Sequence, residues 1–176
     1  MRSPSTQKTL NLKVEYRESF RPFSPSVLSQ RVSDWFEMDC ESPYMLLVAD
    51  VVENGSREMT GEEKQLFGID KLNVARSDIP AVTRVDYSVR IQTVHEDTNL
   101  RDYALISAFE RKRGCPVVVN TRFNVRGKPI VCTPEDAFRC FMGTELAALA
   151  VSNCCLRKQD QDPALKQNYE TAFELD

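Results

Sequence analysis

Basic side chains next to asparagines are the clearest chemical feature of this sequence. The stretch "VNTRFNVRGKPIVCTPEDA", residues 119–137, contains two asparagines, two arginines, a lysine and a glycine. A second stretch, "KVEYRESFRP", carries Lys13, Arg17 and Arg21. Guanidinium groups and free backbone N–H groups are the donors that replace the hydration shell of a phosphate. Both stretches are therefore candidates for binding an anion such as a nucleotide phosphate.

Further groups could complete such a site. Arg90 lies on an intervening strand and is a possible third source of charge, while Arg122 and Arg126 flank Asn124 in the first stretch. Asn120 and Asn124 can either bind a ligand or close a turn on their own backbone. The competing interpretation is a solvated surface, because a chain with 23 basic and 26 acidic residues forms many weak surface pairs. Neither a G-x-x-x-x-G-K-[ST] nor a G-x-G-x-x-G motif is present.

Other reactive groups favour structural roles. His95 is expected in an exposed loop, Cys132 is expected to be buried at the end of a strand, and Asp86 is expected to cap a turn. The six cysteines are scattered without a C-x-x-C pair, and there is a single histidine. Zinc binding is therefore not expected, and most thiols should be reduced and buried.

Composition excludes several classes of protein. A chain of 176 residues predicts one domain, and a net charge of −3 with a pI near 5.4 argues against a general nucleic-acid binder. No apolar run reaches the roughly 20 residues that span a bilayer, and the first residues lack a signal-peptide core. We expect a cytoplasmic protein that binds neither membrane nor nucleic acid.

The hydrophobic pattern predicts a mixed α/β (α+β) domain with helices flanking a sheet. Helices are predicted over residues 7–14, over "TNLRDYALISAFERKRG" and after the N-cap Thr133. Strands are predicted at "YMLLVADV", which should be buried, at the alternating end of residues 82–94, at "CPVVVN", at its successor "KPIVC" and at "LAALAVSNCCL". Residues 53–79 are predicted to be a long surface connection, and residues 159–176 a polar tail.

The order of these motifs resembles the C-terminal domain of the carbamoyltransferase family, which includes NodU-type nodulation proteins and antibiotic O-carbamoyltransferases. The similarity is carried by "YRESFRPFSPSVL", "ESPYMLLVADV", "IPAVTRVDYSVRIQTV" and "CPVVVNTRFNVRGKPIVCTPEDAFRCF". It runs over nearly the whole chain and places the domain at residues 1–158. The chain is expected to be one part of a longer enzyme, or the product of a split or decayed gene.

The resemblance implies a YrdC-like fold that forms carbamoyl-adenylate from ATP and carbamoyl phosphate. Transfer to an acceptor hydroxyl would take place in a metal-carrying N-terminal domain, in the same chain or a separate one. Any Mg²⁺ would come with ATP, because this domain is not expected to hold a metal itself. By motif, Arg17, Arg21 and Arg90 would face the phosphates, and Asn120 and Asn124 the adenylate site. No catalytic residue is assigned.

Three positions depart from the family pattern. Arg122 stands where the family has the serine of N-T-S-F-N, and Arg84 and Tyr87 replace the histidine and glycine of T-H-V-D-G-S-A-R. These departures motivate two alternatives. One is a degenerate, non-catalytic domain that binds nucleotide or docks on a partner, and the other is a regulator that senses a different anion through Arg122.

Overall fold

The computed structural model describes residues 2–3, 5–125 and 127–166, so the predicted site residue Arg126 lies outside the described residues. The chain divides into two compact units. Unit 1 comprises Met1–Gln7 and Pro22–Thr121, and unit 2 comprises Lys8–Arg21 and Arg122–Asp176. Helices accompany a mixed sheet, which confirms the predicted α+β class. The predicted boundary between a domain at 1–158 and a tail at 159–176 stays a prediction.

Unit 1 is built on a four-stranded sheet. Its strands are β1 (Ser24–Leu28), β2 (Leu47–Asp50), β3 (Ser88–Val94) and β4 (Val117–Asn120), in the order β2-β3-β1-β4. β1 runs parallel to β3 and antiparallel to β4, and β2 runs antiparallel to β3. The central position of β1 brings β3 and β4, which are separated along the sequence by a helix, to its two sides.

That helix, α4 (Leu100–Arg113), confirms the strongest helix prediction. The Asn99 side chain accepts a hydrogen bond from the backbone N–H of Asp102 at 3.3 Å, and Gly114 ends the helix with φ of 63°. A left-handed residue after the last turn is the usual helix stop, and glycine adopts it without a Cβ clash. Ile106 is fully buried against Leu28 and Val94, so α4 covers the strand ends.

Two predictions for unit 1 were wrong. The segment 44–50 is not buried, because β2 is an edge strand paired only with β3 and leaves Leu47 and Val48 exposed, whereas Val51 after it is buried. Residues 53–79 are more than a surface connection. They contain α2 (Gly61–Gln65), α3 (Gly68–Leu72) and the buried Arg76, whose guanidinium donates to the carbonyls of Lys71 and Leu72. Arg76 thereby satisfies carbonyls that the short helix α3 leaves free at its end.

Unit 2 combines one helix with a β-hairpin. Helix α5 (Pro134–Gly143) begins at Thr133 with a reciprocal capping box to Asp136, as the sequence predicts for its N-cap. The predicted single strand at "LAALAVSNCCL" is instead the hairpin of β5 (Ala148–Val151) and β6 (Cys154–Arg157), and "KPIVC" is not a strand. Phe141 is fully buried in a cluster that includes Leu149. Helix α1 (Ser5–Leu10) ends in the N-terminal segment of unit 2. The π-helical turn Asn11–Glu15 follows it directly.

The cysteines correct another expectation. Only Cys115 and Cys140 are buried, whereas Cys40, Cys132, Cys154 and Cys155 are exposed, and all six are free. The predicted burial of Cys132 was therefore wrong, because it precedes α5 in an exposed loop rather than ending a strand. Within the described residues, no group of three or more potential ligands is placed to bind a metal. None of the described helices has the length and apolar character needed to cross a membrane.

Thiol titration should separate these cysteines. Burial raises the pKa of the Cys140 thiol to about 11, so the reactive thiolate is scarce at neutral pH. We expect DTNB to modify the four exposed cysteines rapidly at pH 7.5, and the two buried ones only after denaturant is added. Cys132→Ser should lower the number of rapidly modified cysteines from four to three. Rapid labelling of Cys140 in the folded protein, located by peptide mass, would contradict this assignment.

Candidate functional site

In unit 1, polar side chains cross one face of the sheet and form what we call the polar row: Ser24 and Ser26 of β1, Arg90 and Gln92 of β3, and Asn120 of β4. Ser24 lies opposite Asn120, and Ser26 lies opposite Gln92. Directly paired residues share a face of a sheet, and so do residues two apart on one strand. The pairing therefore brings two predicted site residues, Arg90 and Asn120, to the same face.

The other face of the sheet fixes this arrangement. Val27, Val89 and Ile91 are fully buried there. A slip of one residue would expose this apolar set and bury the polar one, so the register is strongly specified. The alternation in "SVRIQTV" predicts this arrangement of β3, and the structure confirms it.

Hydrogen bonds join the polar row. The Ser26 hydroxyl donates to Gln92 Oε1 at 2.7 Å. Asn120 Nδ2 donates to Ser26 Oγ at 3.1 Å and to Gln92 Oε1 at 2.5 Å. Gln92 Nε2 in turn donates to the carbonyl of Pro43 at 3.0 Å. Ser26 and Gln92 thus hold Asn120 in one orientation, and neither was predicted as a site residue.

Arg90 stands at the open end of this row. Its Nε donates to Ser24 Oγ at 3.3 Å, and the residue is exposed. Among the described residues, no hydrogen bond or ion pair engages the two terminal nitrogens of its guanidinium group. Those nitrogens present a planar pair of donors that matches the oxygens of a phosphate.

In unit 2, three of the predicted arginines form what we call the arginine cluster: Arg17, Arg21 and Arg122. Burial is the largest influence on the pKa of Arg17 and lowers it, while the carboxylate of Glu15 acts in the opposite direction. The positive charges of Arg21 and Arg122 lie close enough to lower the pKa further. Like charges placed together repel, and an anion that shares them removes that repulsion.

Arg17 is held rigidly within this cluster. Its Nη1 lies 3.0 Å from Glu15 Oε2, and its Nε donates to Asn11 Oδ1 at 2.7 Å. The Asn11 side chain is fully buried, and its Nδ2 donates to the carbonyls of Ser19 at 3.1 Å and Arg21 at 2.8 Å. One buried amide therefore shapes the loop that carries both Arg17 and Arg21.

The opening basic stretch is organised by Asn124. Its Nδ2 donates to the carbonyls of Val125 at 3.2 Å and Lys128 at 2.9 Å, and Gly127 adopts φ of 73°. Of the two roles left open by the sequence, the structure thus places the Asn124 amide nitrogen in turn closure. Its predicted role toward a ligand stays a prediction. Arg122, earlier in the same stretch, is exposed.

A cavity of about 240 Å³ adjoins this turn within unit 2. Lys128 and Arg139 line it together with Cys132 and Asp136. Pockets for drug-sized ligands usually measure roughly 300–1,000 Å³. This cavity is therefore too small to enclose a nucleotide by itself, and we assign it no ligand.

The weaker candidates have structural roles. Asp86 Oδ1 accepts hydrogen bonds from the Ser88 hydroxyl at 2.7 Å and the Ser88 N–H at 3.1 Å, which confirms turn capping and lowers the pKa of this carboxyl group. The expectation of an exposed His95 was wrong. Its side chain is 17% exposed, and its Nε2 lies 3.0 Å from Thr93 Oγ1.

Tyr87 is one of the three positions that the resemblance marks as departures, at the glycine of T-H-V-D-G-S-A-R. Its φ is 66°, in the left-handed region that glycine adopts without cost. The hydroxyl of Tyr87 donates to the carbonyl of Arg57 at 3.1 Å, which engages the side chain with the segment before β3. A glycine would adopt this backbone conformation without a Cβ clash, and in this chain a tyrosine adopts it.

The match to a known family agrees with these features. A family model described as "Carbamoyltransferase C-terminus" matches residues 1–158. The chain belongs to this family. The polar row and the arginine cluster both lie within the residues that this family model matches.

Relatives in this group are much longer than the chain. An uncharacterized protein from Synechocystis sp. is 56% identical over 176 residues, covering 99% of this chain and 29% of that protein. Nodulation protein NolO from Bradyrhizobium diazoefficiens is 33% identical, with coverages of 96% and 27%. The 3'-hydroxymethylcephem-O-carbamoyltransferase from Amycolatopsis lactamdurans is 32% identical, with coverages of 74% and 21%. The chain therefore spans less than a third of these relatives.

Proposed function

We propose that this chain binds ATP and carbamoyl phosphate and forms carbamoyl-adenylate, which an N-terminal carbamoyltransferase domain then uses to modify an acceptor hydroxyl. The observation that carries the proposal is the arginine cluster of unit 2. Arg17 and Arg21 face the carboxylates of Glu15 and Glu18 at 3.0 and 2.7 Å, so among the described residues the exposed Arg122 is the member of the cluster without an ion pair. Its positive charge beside two others favours the binding of an anion. A polyphosphate is an anion of suitable charge, and family membership makes the phosphates of ATP the leading candidate.

Each unit by itself contains groups suited to binding a ligand. The arginine cluster provides fixed positive charge for the phosphates of the nucleotide. In unit 1, the free terminal nitrogens of Arg90 and the adjacent polar row fit a small ligand with one phosphate and one polar group, such as carbamoyl phosphate. Adenylate formation depends mainly on positioning and on neutralising developing phosphate charge.

The reaction balances with water as the third reactant. Carbamoyl phosphate and ATP then give carbamoyl-adenylate, pyrophosphate and inorganic phosphate. Mg²⁺ would enter with ATP. The separate transfer step belongs to the part of the relatives that this chain does not cover, so the chain alone should leave an acceptor hydroxyl unmodified.

Pyrophosphate formation tests the adenylation step. The purified chain is incubated with ATP, Mg²⁺ and carbamoyl phosphate, and inorganic phosphate is measured with and without added pyrophosphatase. The pyrophosphatase-dependent difference should require carbamoyl phosphate and should fall at least tenfold in Arg21→Met, which removes a charge from the cluster. Arg157→Met, an exposed arginine on β6, is the matched control and should leave the rate unchanged. A difference of zero for the wild type would refute catalysis by this chain.

The second candidate is a non-catalytic domain that retains nucleotide binding or docks on a partner. It is favoured by Arg122 in place of the family serine and by Tyr87 in place of the glycine. Calorimetry with ATP and AMP separates the two candidates. Binding without pyrophosphate formation supports a degenerate nucleotide-binding domain, whereas no binding supports docking. If Arg122 serves a different anion, Arg122→Ser should not improve ATP binding.

A further inference from the structure

The hydrogen bonds of the polar row have a fixed direction. The row is anchored at the backbone carbonyl of Pro43, which can only accept a hydrogen bond. The Gln92 side chain must therefore turn its Nε2 toward Pro43, at 3.0 Å. This leaves Gln92 Oε1 as the atom that faces Ser26 and Asn120.

The orientation of Gln92 also determines which atom of the Asn120 amide faces the row. Gln92 Oε1 can only accept, and it receives hydrogen bonds from Ser26 Oγ at 2.7 Å and Asn120 Nδ2 at 2.5 Å. Since Ser26 gives its single proton to Gln92, its oxygen accepts from Asn120 Nδ2, at 3.1 Å. The oxygen and nitrogen of an asparagine amide are assigned from the bonds they make. Here a backbone carbonyl decides that assignment through two intermediate side chains.

Asn120 Oδ1 is the atom that remains. Nδ2 makes both contacts of Asn120 inside the row, and none of the described residues donates a hydrogen bond to Oδ1. The side chain is half-buried on the sheet face that it shares with Arg90. An acceptor oxygen at this position attracts an N–H or O–H group and repels a phosphate oxygen. The polarity of the row therefore argues against Asn120 as a phosphate ligand.

We propose that Asn120 Oδ1 accepts a hydrogen bond from the amino group of the carbamoyl moiety, and that Asn120 thereby selects carbamoyl phosphate over acyl phosphates that lack this N–H. Gln92 acts as a positioning residue that fixes the orientation of Asn120. This inference rests on the proposed function, since it concerns the same substrate. Arg90 and Asn120 sit on strands separated by β1, which places their backbones roughly 10 Å apart. Because the Arg90 side chain is long, its guanidinium group can lie closer to Asn120 than the backbones do and contact the same small ligand, such as carbamoyl phosphate.

Acetyl phosphate is the probe that isolates this contact. It has the same charge and nearly the same shape as carbamoyl phosphate, but it carries a methyl group in place of the amino group. A neutral hydrogen bond contributes about 0.5–1.5 kcal/mol net, and more when a buried acceptor would otherwise be left unpaired. We expect the wild type to bind carbamoyl phosphate about tenfold more tightly than acetyl phosphate in calorimetry.

Three variants test whether the hydrogen bonds of the polar row orient the Asn120 amide and so set the ligand preference. Asn120→Ala should remove the preference, so that the ratio of the two Kd values falls to about one. Gln92→Met also should remove it, because the amide of Asn120 is then free to rotate. Gln92→Glu loses the hydrogen bond to the Pro43 carbonyl but should keep the preference, because both carboxylate oxygens can only accept and the one facing Ser26 and Asn120 still requires Nδ2 of Asn120. The ratio cancels any general effect of added charge on anion binding, and circular dichroism confirms that each variant is folded.

The outcomes distinguish this inference from the proposed function. Equal binding of both ligands by the wild type overturns the role of Asn120 and leaves the proposed function standing. A preference that survives in Asn120→Ala or in Gln92→Met also overturns it. If Asn120→Ala instead changes the preference for ATP over ITP, the amino group recognised is that of adenine and the carbamoyl assignment is wrong. If neither acyl phosphate binds the wild type, both proposals fail.

Discussion

Replacing Arg17 by methionine is expected to lower the free energy of unfolding by about 3 kcal/mol and to abolish ATP binding. The Glu15 side chain is 7% exposed and loses the guanidinium nitrogen 3.0 Å away. Removing one member of a buried ion pair costs about 3–5 kcal/mol, because the other charge stays buried without its partner. The lower value applies since Arg17 itself is 17% exposed. Urea denaturation followed by circular dichroism measures the change in stability, and calorimetry measures ATP binding.

Arg21→Met is the matched control for this prediction. It removes the same charge from the same cluster, but Arg21 is 51% exposed and pairs with Glu18 at 2.7 Å. Glu18 is 23% exposed against 7% for Glu15, so Arg21→Met should weaken ATP binding with a smaller loss of stability than Arg17→Met. The double variant Glu15→Gln/Arg17→Met should recover stability without recovering ATP binding. Equal destabilisation by Arg17→Met and Arg21→Met would show that the buried pair with Glu15 is not what stabilises this loop.

Elements with local signals were predictable from the sequence. Helix α4 has an N-capping asparagine and a glycine stop, and helix α5 has Thr133, Pro134 and an acidic first turn. These signals act within a few residues, so no knowledge of the rest of the fold is needed. The alternation of β3 was equally clear, because one of its faces packs on the core.

Features that depend on distant partners were not predictable. The apolar sequence of β2 resembles that of a buried strand, but burial is decided by its place at the edge of the sheet. In the turn between β5 and β6, Ser152 has φ of 51°. The turn contains neither Asn-Gly nor Asp-Gly, the pairs from which such a turn is usually predicted. The small residues around that turn instead continue an apolar run that resembles one strand.

The candidate site divides in the same way. Residue type alone singled out Arg17, Arg21 and Asn120 in the two basic stretches, and Arg90 on the strand between them. Ser26 and Gln92 were missed, because they are 66 residues apart and meet only through the parallel pairing of β1 with β3. The available signal was that Gln92 shares the polar side of β3 with Arg90. Asn11 was missed for a related reason, since the sequence gives no sign that an asparagine in a polar turn is fully buried.

Asn11 is the subject of the second large expected effect, because Asn11→Leu removes three hydrogen bonds from one buried side chain. Leucine has the same branching and the same number of side-chain heavy atoms, so the change removes the polar contacts without opening a cavity. It leaves the carbonyls of Ser19 and Arg21 and the Nε of Arg17 without their Asn11 partner. A buried group that loses its partner costs about 1–3 kcal/mol, and the loop can recover part of this by admitting water. We expect a loss of about 3 kcal/mol in the free energy of unfolding, measured by urea denaturation.

Asn124→Leu provides the comparison within the same unit. Asn124 also donates to two backbone carbonyls, but it closes a turn whose hydrogen bond to Lys128 is exposed. Water can replace those bonds, so the expected loss is about 1 kcal/mol or less. Asn11→Leu should also weaken ATP binding at least tenfold in the fraction that stays folded, because Arg17 and Arg21 lose the amide that shapes their loop. If Asn11→Leu lowers stability but leaves ATP binding unchanged, then the loop geometry set by Asn11 is not what positions the arginine cluster for the nucleotide.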